Sequence, residues 1–305
     1  MLHAERVMIM VIERRVKETI TPIELEHGDV LRFGGTWEMK LVMTSAEVLS
    51  RLPAAMKDAN HYAGDIAVYG MTAMVEINGR EHVLKREVGS QASFYEPWEV
   101  DGVRVWFDAA ACAFIHPPKE GGIIHEKDWA HKQVCRPYRA GRFLVQAADR
   151  GIAPEPIGAW FEGQKPVPDI RECYLGADCW MGPYAGGAAH CGLDINMKAG
   201  TILTAPIDLD DQYVFNDMRA GIKCGRWRGS RRWADGSDWV IQSHHIVEAL
   251  VPEKTPLKRG TKYARGAGTA VGAREHAHFM WRIMEQGGDY LVDPWILFWA
   301  AGKSL

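Results

Sequence analysis

Two short stretches in the last third of the chain carry side chains that ligate metals. His190 opens HCGLD, with Asp194 four positions on; about 80 residues later, His276 and His278 form His-x-His inside EHAHFMW. Side chains on a strand alternate between faces, so residues two or four apart point the same way. As strands, the first stretch turns His190 and Asp194 to one side, and the second does the same for His276 and His278. Two such strands lining one groove bring imidazoles and a carboxylate to one point. Three ligands of this kind, with a fourth position left to water, make a catalytic rather than a structural zinc site. Each fragment alone is common, and a lone buried histidine is more often a hydrogen-bonded core residue. Their order and surroundings carry the information.

A Gly-rich run, MGPYAGGAAH, leads into the first motif and INMKAGTILTAPID follows it; PLKRGTKYARGAG precedes the second motif and VDPWILF comes after it. In that order the residues resemble the lysostaphin-like zinc metallopeptidases, which cleave peptide cross-links of bacterial cell walls. The family's His-x-Gly-x-Asp-Ile, Gly-Thr-x-(aliphatic)-x-Ala, lysine-glycine turn and His-x-His-Phe read here as HCGLDI, AGTILTA, KRGTKYARG and HAHF. The resemblance covers roughly residues 175–298. It implies zinc (Zn2+) held by His190, Asp194 and His278, with His276 beside the metal as a catalytic residue. It also implies a peptide or peptidoglycan-like substrate and a secreted or periplasmic location.

The family draws one further histidine from a Tyr-x-His-Leu segment; the corresponding WVIQSHHIVEALVP has adjacent His244 and His245 and no tyrosine. Neighbours on a strand face opposite ways, so only one of the two is expected to reach the groove as a catalytic residue. Apolar residues lie on both faces of this strand, so periodicity does not choose between them. His245 is preferred, on a face shared with Ile241, Val247 and Ala249, and a bulge at Ser243 would exchange the two roles. After His278, Met280 and Trp281 stand where many members carry a Glu, which changes the expected groove wall. The long insert DQYVFNDMRAGIKCGRWRGSRRWADGSDW offers Arg226, Trp227, Arg228, Arg231 and Trp233 either to a substrate cleft or to satellite packing.

The elements that must position these residues are expected to be mainly β. Residues 15–115 read as short β-rich runs, with Asn78-Gly79 marking a type I′ hairpin. SAEVLSRLPAAMKDA (45–59) reads as a helix capped by Ser45, and VRVWFDAAACAF as a last strand. This gives an N-terminal β-sandwich-like domain over 1–115, expected to position its neighbour or to bind a polymer or partner protein. A Pro/Gly-rich connecting region follows over 116–175, reading as an extended surface linker with a turn or two of helix at DWAHKQV. Its His116, His125 and His131 have no common ligand spacing and read as solvated or structural. Residues 176–305 then read as a lysostaphin-like antiparallel β-sheet domain. Its strands are expected near 190–196, 202–206, 212–216, 239–250, 261–265, 278–284 and 290–292, with CGRWRGSRRW as strand edge and loop, and PWILFWAAG as an apolar turn.

The chain has 305 residues, nearly half of them hydrophobic, which is enough for two domains with real cores. A net charge of −3 gives no basic field for nucleic acid. No stretch approaches the ~20 apolar residues of a membrane span. VMIMVI (7–12) is too short and too closely flanked by charge for a signal-peptide core, so either a leader is missing or the protein stays in the cell. Among six cysteines, Cys173 with Cys179 and Cys191 with Cys224 are candidate pairs, and the resemblance favours at least one disulfide. Two other functions fit the same residues: a non-catalytic scaffold that keeps the fold and activates another enzyme, and a polysaccharide lyase or hydrolase using His and Tyr side chains.

Overall fold

The computed structural model describes residues 9–52, 66–111, 135–173, 178–184, 188–219, 222–268, 275–285 and 288–304. The first half holds β1 (Val11–Arg14), β2 (Thr21–Leu25), β3 (Val30–Phe33), β4 (Trp37–Leu52), β5 (Ile66–Ile77), β6 (Arg80–Val88), β7 (Trp98–Val100), β8 (Val103–Ala110) and β9 (Gly141–Ala147). They form a five-stranded sheet in the order β1-β3-β4-β5-β6 and a four-stranded sheet in the order β2-β9-β8-β7. The two sheets pack β4, β5 and β6 against β8. Their inward residues, among them Met39, Leu41, Met71, Val75, Val105 and Phe107, are buried in one core. Asn78 (φ 47°) and Gly79 (φ 78°) both sit in the left-handed region that a type I′ turn requires, and they join β5 to β6.

Two expectations change in this half. The helix read at 45–59 is strand over its described part: Ser45 pairs with Thr72 and Leu52 with Ile66, as β4 continues along β5. Cross-strand pairing supplies what the weak helix propensity of an isolated segment cannot. Residues 53–59 lie outside the described residues, as do DWAHKQV, His116, His125, His131 and Cys112. The connecting region is also not a linker throughout. β9 lies within it and is central to the second sheet, pairing with both β2 and β8. Further on, Trp160 is buried and donates its indole N–H to Tyr263 Oη (3.1 Å), while its carbonyl accepts from Thr204 N (2.8 Å). Ile152, Ile157 and Trp160 of this stretch are buried, whereas Glu162, Lys165 and Val167 are exposed.

The second half holds β10 (Pro183–Tyr184), β11 (Ala188–Ala189), β12 (Leu193–Asn196), β13 (Ile202–Thr204), β14 (Asp211–Arg219), β15 (Ile222–Arg232), β16 (Asp238–Ile246), β17 (Glu248–Ala249), β18 (Lys262–Arg265), β19 (His276–Glu285) and β20 (Gly288–Val292). The main sheet runs β12-β19-β16-β15-β14, with β20 on β19, and a smaller sheet runs β13-β18-β17. The CGRWRGSRRW run is no edge: it forms most of β15, hydrogen-bonded to both β14 and β16. The expected apolar turn at PWILFWAAG is helix α1 (Trp295–Ser304), which buries Trp295, Ile296, Leu297, Phe298 and Ala301. Asp293 Oδ1 accepts from Trp295 N (2.8 Å) at its start, the service of an N-cap. No helix among the described residues is long and apolar enough to cross a membrane.

Candidate metal centre

The site grows from the register of five strands. β12 and β19 run antiparallel with Asp194 opposite His278 and Asn196 opposite His276. On the other side of β19, His278 stands opposite His244 of β16. His244 in turn stands opposite Arg226 of β15, and Arg226 opposite Phe215 of β14. Directly opposed residues share a face, so one row, Asp194–His278–His244–Arg226–Phe215, crosses the sheet. The adjacent row, Leu193–Phe279–Ser243–Trp227, turns the other way into the core. There Trp227 stacks on Tyr263 at 3.8 Å between centroids, and Ser243 Oγ shares a hydrogen bond with Tyr263 Oη (2.6 Å). The alternation of apolar and polar residues along HAHF thus separates a packed face from a histidine face, and Ser243 joins the packed face through its hydrogen bond to Tyr263.

On the histidine face, Asp194 is the hub. Its Oδ1 lies 2.6 Å from His278 Nδ1 and 3.3 Å from His190 Nε2, and its Oδ2 lies 3.6 Å from His276 Nε2. The side chains of His190, Asp194 and His278 each offer a ligand atom within 4.8 Å of the other two. Asp194, His245 and His276 form a second such group, with His276 on the other carboxylate oxygen. The glycine of HCGLD is required by this closeness. A Cβ on Gly192 would lie 2.6 Å from His278 Cε1 and would strike the Phe279 carbonyl. The donor set suits zinc: imidazole nitrogens and one carboxylate, as in catalytic sites with an open position.

Burial favours the neutral form of two of the rings, His244 and His278, beside an ionised carboxylate. Burial pushes the Asp194 carboxyl upward, but His190, His276 and His278 outweigh it and hold it well below the usual carboxylate range. Burial lowers His278, with Asp194 pulling the other way. Burial, followed by the neighbouring His278, His245 and Arg226, holds His244 well below the ordinary imidazole value. Neutral rings are what metal ligation and proton acceptance both need.

The paired histidines overturn the expectation that only one reaches the groove. The His244 ring lies 4.8 Å from that of His278, and the His245 ring 4.4 Å from that of His276. The cause is a bulge. Across β15, Arg226 pairs with His244 but Gly225 already pairs with Ile246, which leaves His245 as the extra residue at φ 65°. A bulge carries two residues against one and breaks strict alternation. Gly225 makes room for it, since a Cβ there would lie 2.5 Å from Ile246 Cγ1. Gly268 N fastens it by donating to the His245 carbonyl (2.7 Å).

The proposed cleft residues divide by face. Arg226 and Arg228 are on the histidine side, where Arg228 covers the rings of Tyr213 and Phe215 (5.4 and 5.8 Å). Trp227 and Trp233 are buried packing residues, and Arg231 is held by Asp210 (2.9 Å) and Glu155 (3.4 Å). Of the expected disulfides, Cys173–Cys179 is not formed: both residues are buried thiols, as are Cys135 and the half-buried Cys191. The Cys224 side chain lies outside the described residues. The Cys191 sulfur instead meets Cys135, at 3.3 Å, a neighbour that no spacing in the sequence suggests.

No protein-family model and no curated protein matches this chain. Among solved structures it is similar to the solution structure of lysostaphin, with 20% identity over 40% of this chain and 49% of that one, at a TM-score of 0.32. The chain thus spans about half the length of that protein. It is similar also to the catalytic domain of the antimicrobial peptidase lysostaphin from Staphylococcus simulans, with 17% identity over 47% of this chain and 89% of that one, at a TM-score of 0.28. A zinc-containing peptidase from Vibrio cholerae is similar over 84% of this chain and 70% of its own, with 13% identity and a TM-score of 0.28.

Proposed function

We propose that this protein is a zinc-dependent peptidase-like hydrolase that cleaves an amide bond in a peptidoglycan-like peptide. The observation that supports this most is the buried Asp194 carboxylate with His190 and His278 on one oxygen and His276 on the other. His190, Asp194 and His278 would hold the metal. Zinc held there would supply Lewis-acid chemistry, lowering the pKa of water toward neutrality and polarising a substrate carbonyl. His276, held beside Asp194 Oδ2, and His245, packed on the His276 ring, are the groups that accept a proton or hydrogen-bond the developing oxyanion. His244 is kept neutral by burial and supports the His278 ring from the side. Arg226 and Phe215 continue the same face beyond His244 and extend the surface available to an elongated substrate.

The test pairs metal analysis with turnover. Purified protein is expected to carry one zinc per chain and to release fragments from a cell-wall cross-link peptide. Zinc bound without turnover on any such peptide favours a scaffold that activates another enzyme. A protein that binds no zinc at these residues defeats the hydrolase reading.

A further inference from the structure

Two thiols touch beside this site, and the function proposed above makes no use of them. Cys191 directly follows His190, and its sulfur is 3.3 Å from that of Cys135. Both sulfurs also lie near the Ala189 carbonyl, at 3.5 Å for Cys191 and 4.0 Å for Cys135. A disulfide needs its sulfurs at about 2.05 Å, so the pair is roughly one ångström short of bonding distance. The two cysteines belong to different halves of the molecule. The Cys135 carbonyl accepts from Arg142 Nη2, and Arg142 is in turn gripped by Asp108 (2.7 Å) and Glu24 (3.3 Å) of the four-stranded sheet. Cys191 continues the β10–β11 hairpin, where His190 N donates to Gly182 O (2.7 Å) and Met181 N to His190 O (2.9 Å).

We propose that Cys135 and Cys191 form a disulfide when the protein meets a low-molecular-weight disulfide of the glutathione type, fastening the N-terminal sheets to the strand end that carries His190. Exposure sets the order of events. Cys135 is fully buried whereas Cys191 is partly exposed, so Cys191 meets the oxidant first. Its sulfur attacks one sulfur of oxidised glutathione and gives up its proton; a mixed disulfide forms and one glutathione thiol leaves. The Cys135 sulfur then attacks the Cys191 sulfur, also losing its proton, and the second glutathione thiol leaves. Two protein thiols are oxidised, and one glutathione disulfide is reduced to two thiols.

The experiment treats the full chain with oxidised glutathione, blocks the remaining thiols by alkylation and maps the peptides by mass spectrometry, with and without reductant. The wild-type protein is expected to lose two alkylatable thiols and yield one cross-linked peptide joining residues 135 and 191, lighter by two hydrogens and released by dithiothreitol. Cys135→Ser is expected to trap a stable glutathione adduct on Cys191. Cys191→Ser is expected to leave Cys135 reduced. A cross-link through Cys112 or Cys224, retention of both thiols in the wild type, or equal adducts on both variants overturns the proposal. The wild-type map alone decides it should either variant fail to fold. Zinc binding is measured on the same samples, so failure of the metal reading is seen separately.

Discussion

Two regions of this molecule bury charge to the same depth and to different ends. At the junction of the two halves, Arg86 (3% exposed) donates to Asp293 Oδ2 at 2.7 Å, and Arg142 (1%) to Asp108 Oδ2 at 2.7 Å. Asp108 Oδ1 also accepts from Asp293 N (2.8 Å), which links the pairs. Every charge there faces a fixed opposite charge. At the histidine face, Asp194 (4%) is buried as deeply, and its carboxylate oxygens meet the imidazoles of His190, His276 and His278. The junction is electrically closed. The histidine face sets one carboxylate among imidazole nitrogens, the donor types that bind a metal. Buried carboxylates by themselves mark nothing; the kind of partner separates a structural knot from a site.

That contrast is broken most directly by removing one carboxylate from each region. Asp194→Ala is expected to abolish both stoichiometric zinc and measurable turnover, read by metal analysis and by peptide cleavage, while leaving the fold cooperative by thermal denaturation. If zinc stays bound at full occupancy, Asp194 is not the hub, and the comparison fails on its functional side.

Arg86→Ala should act the other way. It leaves Asp293 buried without its cation, and breaking a buried pair from one side costs about 3–5 kcal/mol. Chemical denaturation should report that loss. Zinc occupancy of the protein that remains folded should be unchanged. A loss below about 1 kcal/mol would show that water or a rearranged side chain replaces Arg86, and that the junction is not closed.

The bulge at His245 sharpens the functional half. With both rings on the site, His245→Ala is expected to keep zinc and lose turnover by about 10²–10⁴-fold, the range for a proton-transfer group. His244→Ala, which removes only a ring beside His278, is expected to cost about tenfold or less on the same assay, below that proton-transfer range. Equal losses from the two variants would mean that the bulge places both rings in one role.

How much of this was legible follows from where each determinant lies in the chain. The faces of HAHF could be read because alternation is local: a strand's own residues set its sides; His190 lies before β12, so strand alternation does not set its place beside Asp194. Asn78-Gly79 could be read because a turn's dihedrals depend on its own residues. The bulge could not, because what permits it, Gly225, is on the neighbouring strand and what fastens it, Gly268, is in a distant loop. The same holds for β9. GRFLVQA carries Arg142 and Gln146 into a buried strand, and Arg142 reads as core only beside Asp108 and Glu24. In SAEVLSRL the helix signals were real but weak, and pairing with β5 overrode them. The Cys135–Cys191 contact spans 56 positions and joins two halves that the sequence presents as separate.

The smallest expected effect tests whether burial, rather than the presence of an ion pair, is what distinguishes the junction. Lys303, in the last turn of α1, reaches Glu96 at 3.0 Å, yet both side chains are more than half exposed. Glu96 also accepts from Trp299 Nε1 (2.6 Å), so it keeps a partner when the lysine is gone. Exposed pairs contribute about 0.2–1 kcal/mol because water screens them and two flexible side chains must be held in place. Lys303→Ala is therefore expected to lower stability by no more than about 1 kcal/mol, and added salt should erase most of that difference, since screening acts on exposed charges. Arg86→Ala should keep its penalty at the same salt concentration, because a fully buried pair is screened little. Denaturation curves of the two variants at low and high salt read this directly. If both losses shrink in parallel, solvent reaches the junction, and the difference drawn between a closed charge network and an open histidine site is one of degree only.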